Sequence, residues 1–279
     1  MGIEQGEDYP WEVVCVGDCG IDRYLPLNED RPGGITYNFA SHARRDFPSD
    51  ATIHILTAVG TDDHGVRVSE ALSRSECTVH ARTMPGPTSL QEINLQEDGE
   101  RIFTHYDQGV LDGYRLDEPE QAIVQQADLL VVPMFEQIRE FFVSVMNIGC
   151  EGLIAVDFAD ISDYPAIDRV TPFVDRLDIA FFGLEPTQNT LIQELMSLAI
   201  ERDKIFVVTM GRGGSVVATR SQRVFQPAVP VETVIDTTGA GDRFAAAFLA
   251  EYVKSRHLTH ALRKAAHAAA VTVSRLGAT

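Results

Sequence analysis

The chain has 279 residues, 44% hydrophobic and 23% charged, proportions that supply a full globular core and exclude an extended disordered protein. Its 41 Asp and Glu against 23 Lys and Arg give a net charge of −18, which excludes a sequence-independent grip on nucleic acid phosphates or anionic lipid. Any anionic ligand has to be held by local backbone dipoles, a few cationic side chains or a metal ion.

From Val13 onward, short β-branched runs alternate with amphipathic segments. "VVCVG", "YNFASHARR", "TIHILTAVG" and "GVRVSEALSRS" come first, then "DLLVVPMF", "FFVSVMNIG", "GLIAVDF", "DIAFFG", "QNTLIQELMSLAIERD" and "KIFVVTMG". Continuous apolar strands separated by helices predict an α/β fold with a doubly wound, mostly parallel sheet covered on both faces. The alternation breaks between about Val79 and Gln108, where Asp98-Gly99 stands between two alternating runs. Asp-Gly supplies the positive φ of a type I′ hairpin turn. Together with the aperiodic stretch after the first strand, this predicts one domain over 1–279, with a small antiparallel β lid formed by about 19–32 and 79–108.

Open parallel sheets bind ligands beyond the carboxyl ends of their strands. Gly17, Gly60, Gly211 and the pair Gly239 and Gly241 each follow an apolar run, "VETVIDTT" in the last case, and are expected to meet at one edge. The four cysteines form no C-x-x-C pair, so reduced thiols are expected. No apolar run reaches the ~18 residues that span a bilayer. In "MGIEQG", Gly6 stands where a myristoylation signal has Ser or Thr. A free cytoplasmic protein is expected, without nucleic acid or membrane partners.

The stretch "TTGAGDRFAAAF" places Gly239, Ala240 and Gly241 just before Asp242 and an Ala-rich helical pattern. The first turn of a helix exposes N–H groups without intrahelical partners at the positive end of the macrodipole, and bare glycines let an anion reach them. A carboxylate beside such a cradle opposes anion binding but suits a proton acceptor: it can deprotonate a hydroxyl while the N–H groups stabilise the transferred phosphoryl. The competing reading of Asp242 is an ordinary acidic residue favoured by the dipole in a first turn.

The phrase "DTTGAGD", Asp236 to Asp242, resembles the signature of the ribokinase-like, or PfkB-type, carbohydrate kinases. The likeness continues in "GDCGID", "PGGITYNFA", "VGTDDHG", "VVTMGRGG" and "HAAAVTVSRLGA". It implies a magnesium-dependent sugar kinase that uses ATP, with Asp242 as catalytic base in the Gly239-Ala240-Gly241 turn. Asp22, Gly33, Gly34 and Asn38 would then hold sugar hydroxyls, the alternative for Asp22 and Asn38 being turn and helix capping. Thr209, Gly211 and Gly214 would form the nucleotide loop, or else a plain hairpin turn, and His267 would lie near the adenine, or else pack in the core. Asp236 and Thr238, with carbonyls near Gly277, correspond to a monovalent cation site, K+, in some members. The usual Asn-x-x-Glu is absent: the chain reads "GLEPTQN", leaving Glu185 as the nearby carboxylate for Mg2+. A second departure puts Ala246 or Ala247 where many members carry glycine.

"ERIFTHYDQGVL", "GDCGIDRYL" and "VDFADISDY" are similar to the fructoselysine and fructosamine 6-kinases of that family. This implies transfer to a primary hydroxyl of a sugar or sugar-amine, with Arg23, Arg31 or Arg101 available for a tail carboxylate. A nucleoside kinase using Tyr24, Tyr37, Phe39 and Tyr106 is an alternative, as is a catalytically silent sugar-binding regulator. A homodimer through the β lid is a further implication. No Walker loop, dinucleotide turn, zinc helix or nucleophile elbow occurs.

Overall fold

The computed structural model describes residues 10–96, 99–160 and 166–279. Asp98 of the expected turn, the "MGIEQG" segment and residues 161–165 of "VDFADISDY" lie outside them. In chain order the elements are β1 (Glu12–Val16), β2 (Gly20–Tyr24), β3 (Glu29–Gly33), α1 (Ile35–Asp46), β4 (Thr52–Gly60), α2 (Asp63–Ser73), β5 (Thr78–Met84), β6 (Leu90–Leu95) and β7 (Arg101–Asp107). They continue with α3 (Glu118–Gln125), β8 (Leu129–Pro133), α4 (Arg139–Met146), β9 (Leu153–Asp160), α5 (Ala166–Val170), β10 (Ile179–Gly183) and α6 (Asn189–Arg202). The last are β11 (Ile205–Thr209), β12 (Ser215–Ala218), β13 (Arg223–Gln226), α7 (Ala240–Ser255) and α8 (Leu258–Thr272).

A 9-stranded sheet runs in the order β13-β12-β11-β10-β9-β8-β1-β4-β5. Strands β11 through β5 are parallel, and β12 and β13 add an antiparallel margin. The alternate faces of each parallel strand feed separate cores. Val14 and Val16 pack with α3, α4 and α6, whereas Val13 and Cys15 pack with α1, α2, α7 and α8. Burial on both faces explains why these strands read as continuous apolar runs. Small side chains let α7 and α8 approach closely; Ala246, Ala247, Ala261 and Ala265 are all fully buried.

The lid is a 4-stranded sheet ordered β3-β2-β6-β7. β2 pairs antiparallel with β3 and β6 antiparallel with β7, and the two hairpins are joined by a parallel β2–β6 pairing. Residues 79–84, within the expected lid range, run instead as part of β5 at the edge of the large sheet, in parallel register with β4. At the β6–β7 turn, Gln96 N donates to Glu100 O at 2.8 Å and Gly99 has φ +84. The "VETVIDTT" run is not a strand. Pro227 and Pro230 precede it, and its backbone is anchored to the end of α8, with Ile235 N donating to Val273 O at 2.8 Å.

Candidate active site

Gly17, Gly60 and Gly211 stand at the carboxyl ends of β1, β4 and β11, and the α7 turn faces the same edge beneath the lid. Gly239 is the residue before α7, with φ +74, and a Cβ there would collide with Ala278. Gly241 differs: nothing lies within 4 Å of where its Cβ would be. One glycine is therefore required by packing, and the other leaves space open. The first intrahelical bond is made by Arg243 N to Gly239 O at 2.9 Å, so the N–H groups of Gly241 and Asp242 precede the ladder.

Asp242 is buried in the first turn of α7 and accepts a hydrogen bond from Asn38 Nδ2 at 2.8 Å. Burial, with Asp157 next in weight, raises its pKa well above the usual carboxylate range. The Asn38 bond and the charge of Arg101 act in the opposite sense. Asn38 is itself buried on α1, and its Oδ1 has no hydrogen-bond partner among the described residues; a buried acceptor left this way is suited to a donor brought by a ligand.

Asp22 is buried on β2 of the lid, and its carboxyl is pushed up to about 7, first by burial and then by Asp18, with Arg101 opposing. The paired glycines follow from these acids. A Cβ at Gly33 would fall on the Asp22 carboxylate, and one at Gly34, where φ is +100, would stand 2.7 Å from the Asp18 carbonyl. Asn38 is bonded to Asp242 and does not cap a helix end. That role belongs to Asp18, whose Oδ2 accepts from Ile35 N at 3.2 Å at the start of α1. Burial pushes the Asp18 carboxyl up to about 6.

Asp157, near the end of β9, completes the acidic group; its carboxyl is likewise pushed up to about 6, chiefly by burial. Asp18 and Asp157 hold no motif position of their own, although Asp157 is the one charge in the apolar run "LIAVDFA". Arg101 lies on β7 with Nη1 donating to Thr237 O at 2.9 Å, and its charge acts on Asp22, Asp157 and Asp242. Arg23 is paired with Asp30 and Arg31 with Glu29, so all three arginines considered for a tail carboxylate are engaged within the chain.

Asp236 is fully buried behind the turn. Its Oδ1 accepts from Thr238 N at 2.8 Å, and its Oδ2 accepts from Tyr24 Oη and Gly277 N, both at 2.9 Å. Thr209 ends β11, and the 3-10 turn Gly211–Gly213 leads into antiparallel β12. The segment is a hairpin turn, with Gly211 at φ +50 and open space around it. Gly214, at φ +89, packs on the backbone of Gln226 and Pro227. His267 is exposed on α8, not packed in the core. Glu185 is exposed after β10, with its N–H on Gln188 Oε1 at 2.8 Å, and it is not among the charges that act on Asp242.

A buried carboxylate at the mouth of a glycine-rich helix start, under a lid at the carboxyl edge of a parallel sheet, is the arrangement of a phosphotransferase acting on an alcohol. The profile described as "pfkB family carbohydrate kinase" matches residues 160–279. The chain is 31% identical over 267 residues to fructoselysine 6-kinase of Escherichia coli, covering 95% of this chain and 98% of that protein. It is 27% identical over 274 residues to the fructosamine kinase FrlD of Bacillus subtilis, covering 96% and 92%. Among solved structures, ribokinase of Arabidopsis thaliana complexed with ribose and ATP superposes with a TM-score of 0.76 at 22% identity, covering 97% of this chain and 95% of that one. The chain belongs to the pfkB family of carbohydrate kinases and has its ribokinase-like fold.

Proposed function

We propose that the chain transfers the γ-phosphate of ATP to a primary hydroxyl of a ketose carrying an amine, a fructosamine-type acceptor. The observation that carries the proposal is the placement of Asp242: buried, held by Asn38, and adjacent to the open face of Gly241. The likeness to fructoselysine 6-kinase along almost the whole chain supports the choice of acceptor. So does the acidic lining of Asp18, Asp22 and Asp157, which suits a protonated amine better than a neutral sugar.

In this reading the sugar hydroxyls sit among Asp22, the Gly33–Gly34 backbone and the free Oδ1 of Asn38. Asp242 takes the proton of the attacking hydroxyl, and the N–H groups of Gly241 and Asp242 receive the charge on the phosphoryl oxygens. Thr209, Gly211, Gly214 and exposed His267 line the path of the nucleotide. Mg2+ would neutralise phosphate charge. Asp157, at the carboxyl end of β9 among the buried acids, and exposed Glu185 after β10 are the carboxylates that would hold it. Closure of the β2–β3 and β6–β7 hairpins would exclude water and limit futile hydrolysis of ATP.

The nucleoside alternative has less support: the Tyr24 hydroxyl is committed to Asp236 and Phe39 is buried in the core, which leaves neither free to stack on a base. Exposed Ile102 and Phe103 on β7, an edge of the lid sheet, support a homodimer through the lid. No described helix is long and apolar enough to cross a membrane; in this reading the enzyme works where ATP is supplied, in the cytoplasm. The test is ADP release with a panel of hexoses, ketose-amines and nucleosides. The reading expects ketose-amines to give the highest kcat/KM; a nucleoside preferred over every sugar would overturn it.

A further inference from the structure

The family resemblance implies a monovalent cation lodged among Asp236, Thr238 and carbonyls near Gly277. The groups present do not fit one. Both carboxylate oxygens of Asp236 already accept bonds from within the chain: Thr238 N on one, Tyr24 Oη and Gly277 N on the other. Two carbonyls beside the turn are also engaged. Arg31 Nη1 donates to Leu276 O at 3.1 Å, and Arg101 Nη1 donates to Thr237 O at 2.9 Å. The Thr238 hydroxyl interacts with the Tyr24 phenol, and one neutral oxygen is no cage for an ion.

The two guanidiniums come from the lid, Arg31 on β3 and Arg101 on β7. Each binds the carbonyl of one of the two backbone segments that pass behind the α7 turn. Arg31 also lies over the ring of Tyr24, with Cζ 5.6 Å from the centroid, and Tyr24 holds Asp236. The peptide Leu276–Gly277 is gripped at both ends, its carbonyl by Arg31 and its N–H by Asp236. A further positive charge inserted here would lie beside both arginines, with one of the roughly four lone-pair sites of the Asp236 carboxylate left to bind it.

We infer that Arg31, carried on the lid strand β3, takes the place of a monovalent cation behind the phosphate-binding turn, so the chain does not depend on K+. Arg31 is a positioning residue: it acts through Leu276, Gly277 and Asp236 on the turn that Gly239 begins. The inference rests on the kinase reading for its activity assay but not for its binding assay.

The experiment measures ADP release and, separately, the melting temperature of the ligand-free protein, each in potassium, sodium or choline chloride at equal ionic strength. The native chain is expected to vary by less than about twofold in turnover among the three salts, and to show no K+-specific change in melting temperature. Arg31→Ala is expected to lose about tenfold or more in choline and to recover part of that with added K+ or guanidinium ion. Arg31→Lys should remain salt-indifferent. A native enzyme activated about tenfold by K+ over choline, or stabilised by K+ specifically, would overturn the inference, as would Arg31→Ala with native turnover in choline. If no acceptor yields ADP, the kinase reading fails by itself, while the melting data still decide whether K+ binds.

Discussion

Asn38 Nδ2 on α1 donates to Asp242 Oδ2 on α7 at 2.8 Å, linking residues 204 positions apart. The bond favours the charged form of a carboxyl whose pKa burial has raised. Removing it should raise that pKa further, because the charged form loses its donor. Since the base must be ionised to accept a proton, kcat/KM is expected to rise with pH through a limb above the ordinary carboxylate range. In Asn38→Ala that limb should move to higher pH. A pH profile of both proteins checks the direction, and a shift toward acid would contradict the assigned role of the bond.

Asp242→Asn keeps the shape of the turn and removes the proton acceptor. Turnover is expected to fall by roughly 10² or more, the scale of a lost general base, while acceptor binding measured by calorimetry changes little. Native turnover in this variant would show that the proton leaves by another route.

The two glycines of the turn should separate folding from chemistry. Gly239→Ala forces a side chain into φ +74 and against Ala278, and is expected to lower stability by about 1–3 kcal/mol, read as a drop in melting temperature. Gly241→Ala meets nothing within 4 Å and improves helix propensity, so its melting temperature should hold or rise slightly. Its methyl nevertheless enters the space assigned to the phosphate, and KM for ATP should increase.

Asp22 is pushed up to about 7 from an ordinary value of 3.8. The folded chain therefore keeps that proton through a window, about pH 4 to 7, in which the unfolded chain has released it. Linkage makes this contribution to stability fall as pH rises across the window. His42, lowered to about 4 from 6.5 by burial, contributes the opposite slope below pH 6.5, so the comparison must be between proteins. Relative to the native chain, ligand-free Asp22→Asn is expected to gain a few degrees in melting temperature between pH 5 and pH 8. Parallel melting curves across that range would refute the shift.

The parallel sheet was legible because strands buried on both faces carry an unmistakable apolar run. The Gly-Ala-Gly-Asp turn was legible because small residues before a helix have few other uses. Local pattern says nothing of partners far away in sequence, however. The 79–84 run reads equally well as lid or as sheet edge, and only pairing with β4 decides it. The apolar run "VETVIDTT" resembles the strands before the other glycines, whereas Ile235 N is held by Val273 O at the end of α8. Asp18 and Asp157 carry no motif of their own; their significance comes from convergence at one edge of the sheet.

The end of α8 leads to a segment that underlies the whole turn: Ala278 packs against Gly239, His42 Nε2 donates to Ala278 O at 2.8 Å, and Gly277 N holds Asp236. Strands and helices associate in order as a chain emerges, so the turn reaches its final form only once residues 277 and 278 have docked behind it. A deletion of 277–279 should therefore loosen Gly239 and Asp236 together while leaving the parallel sheet intact.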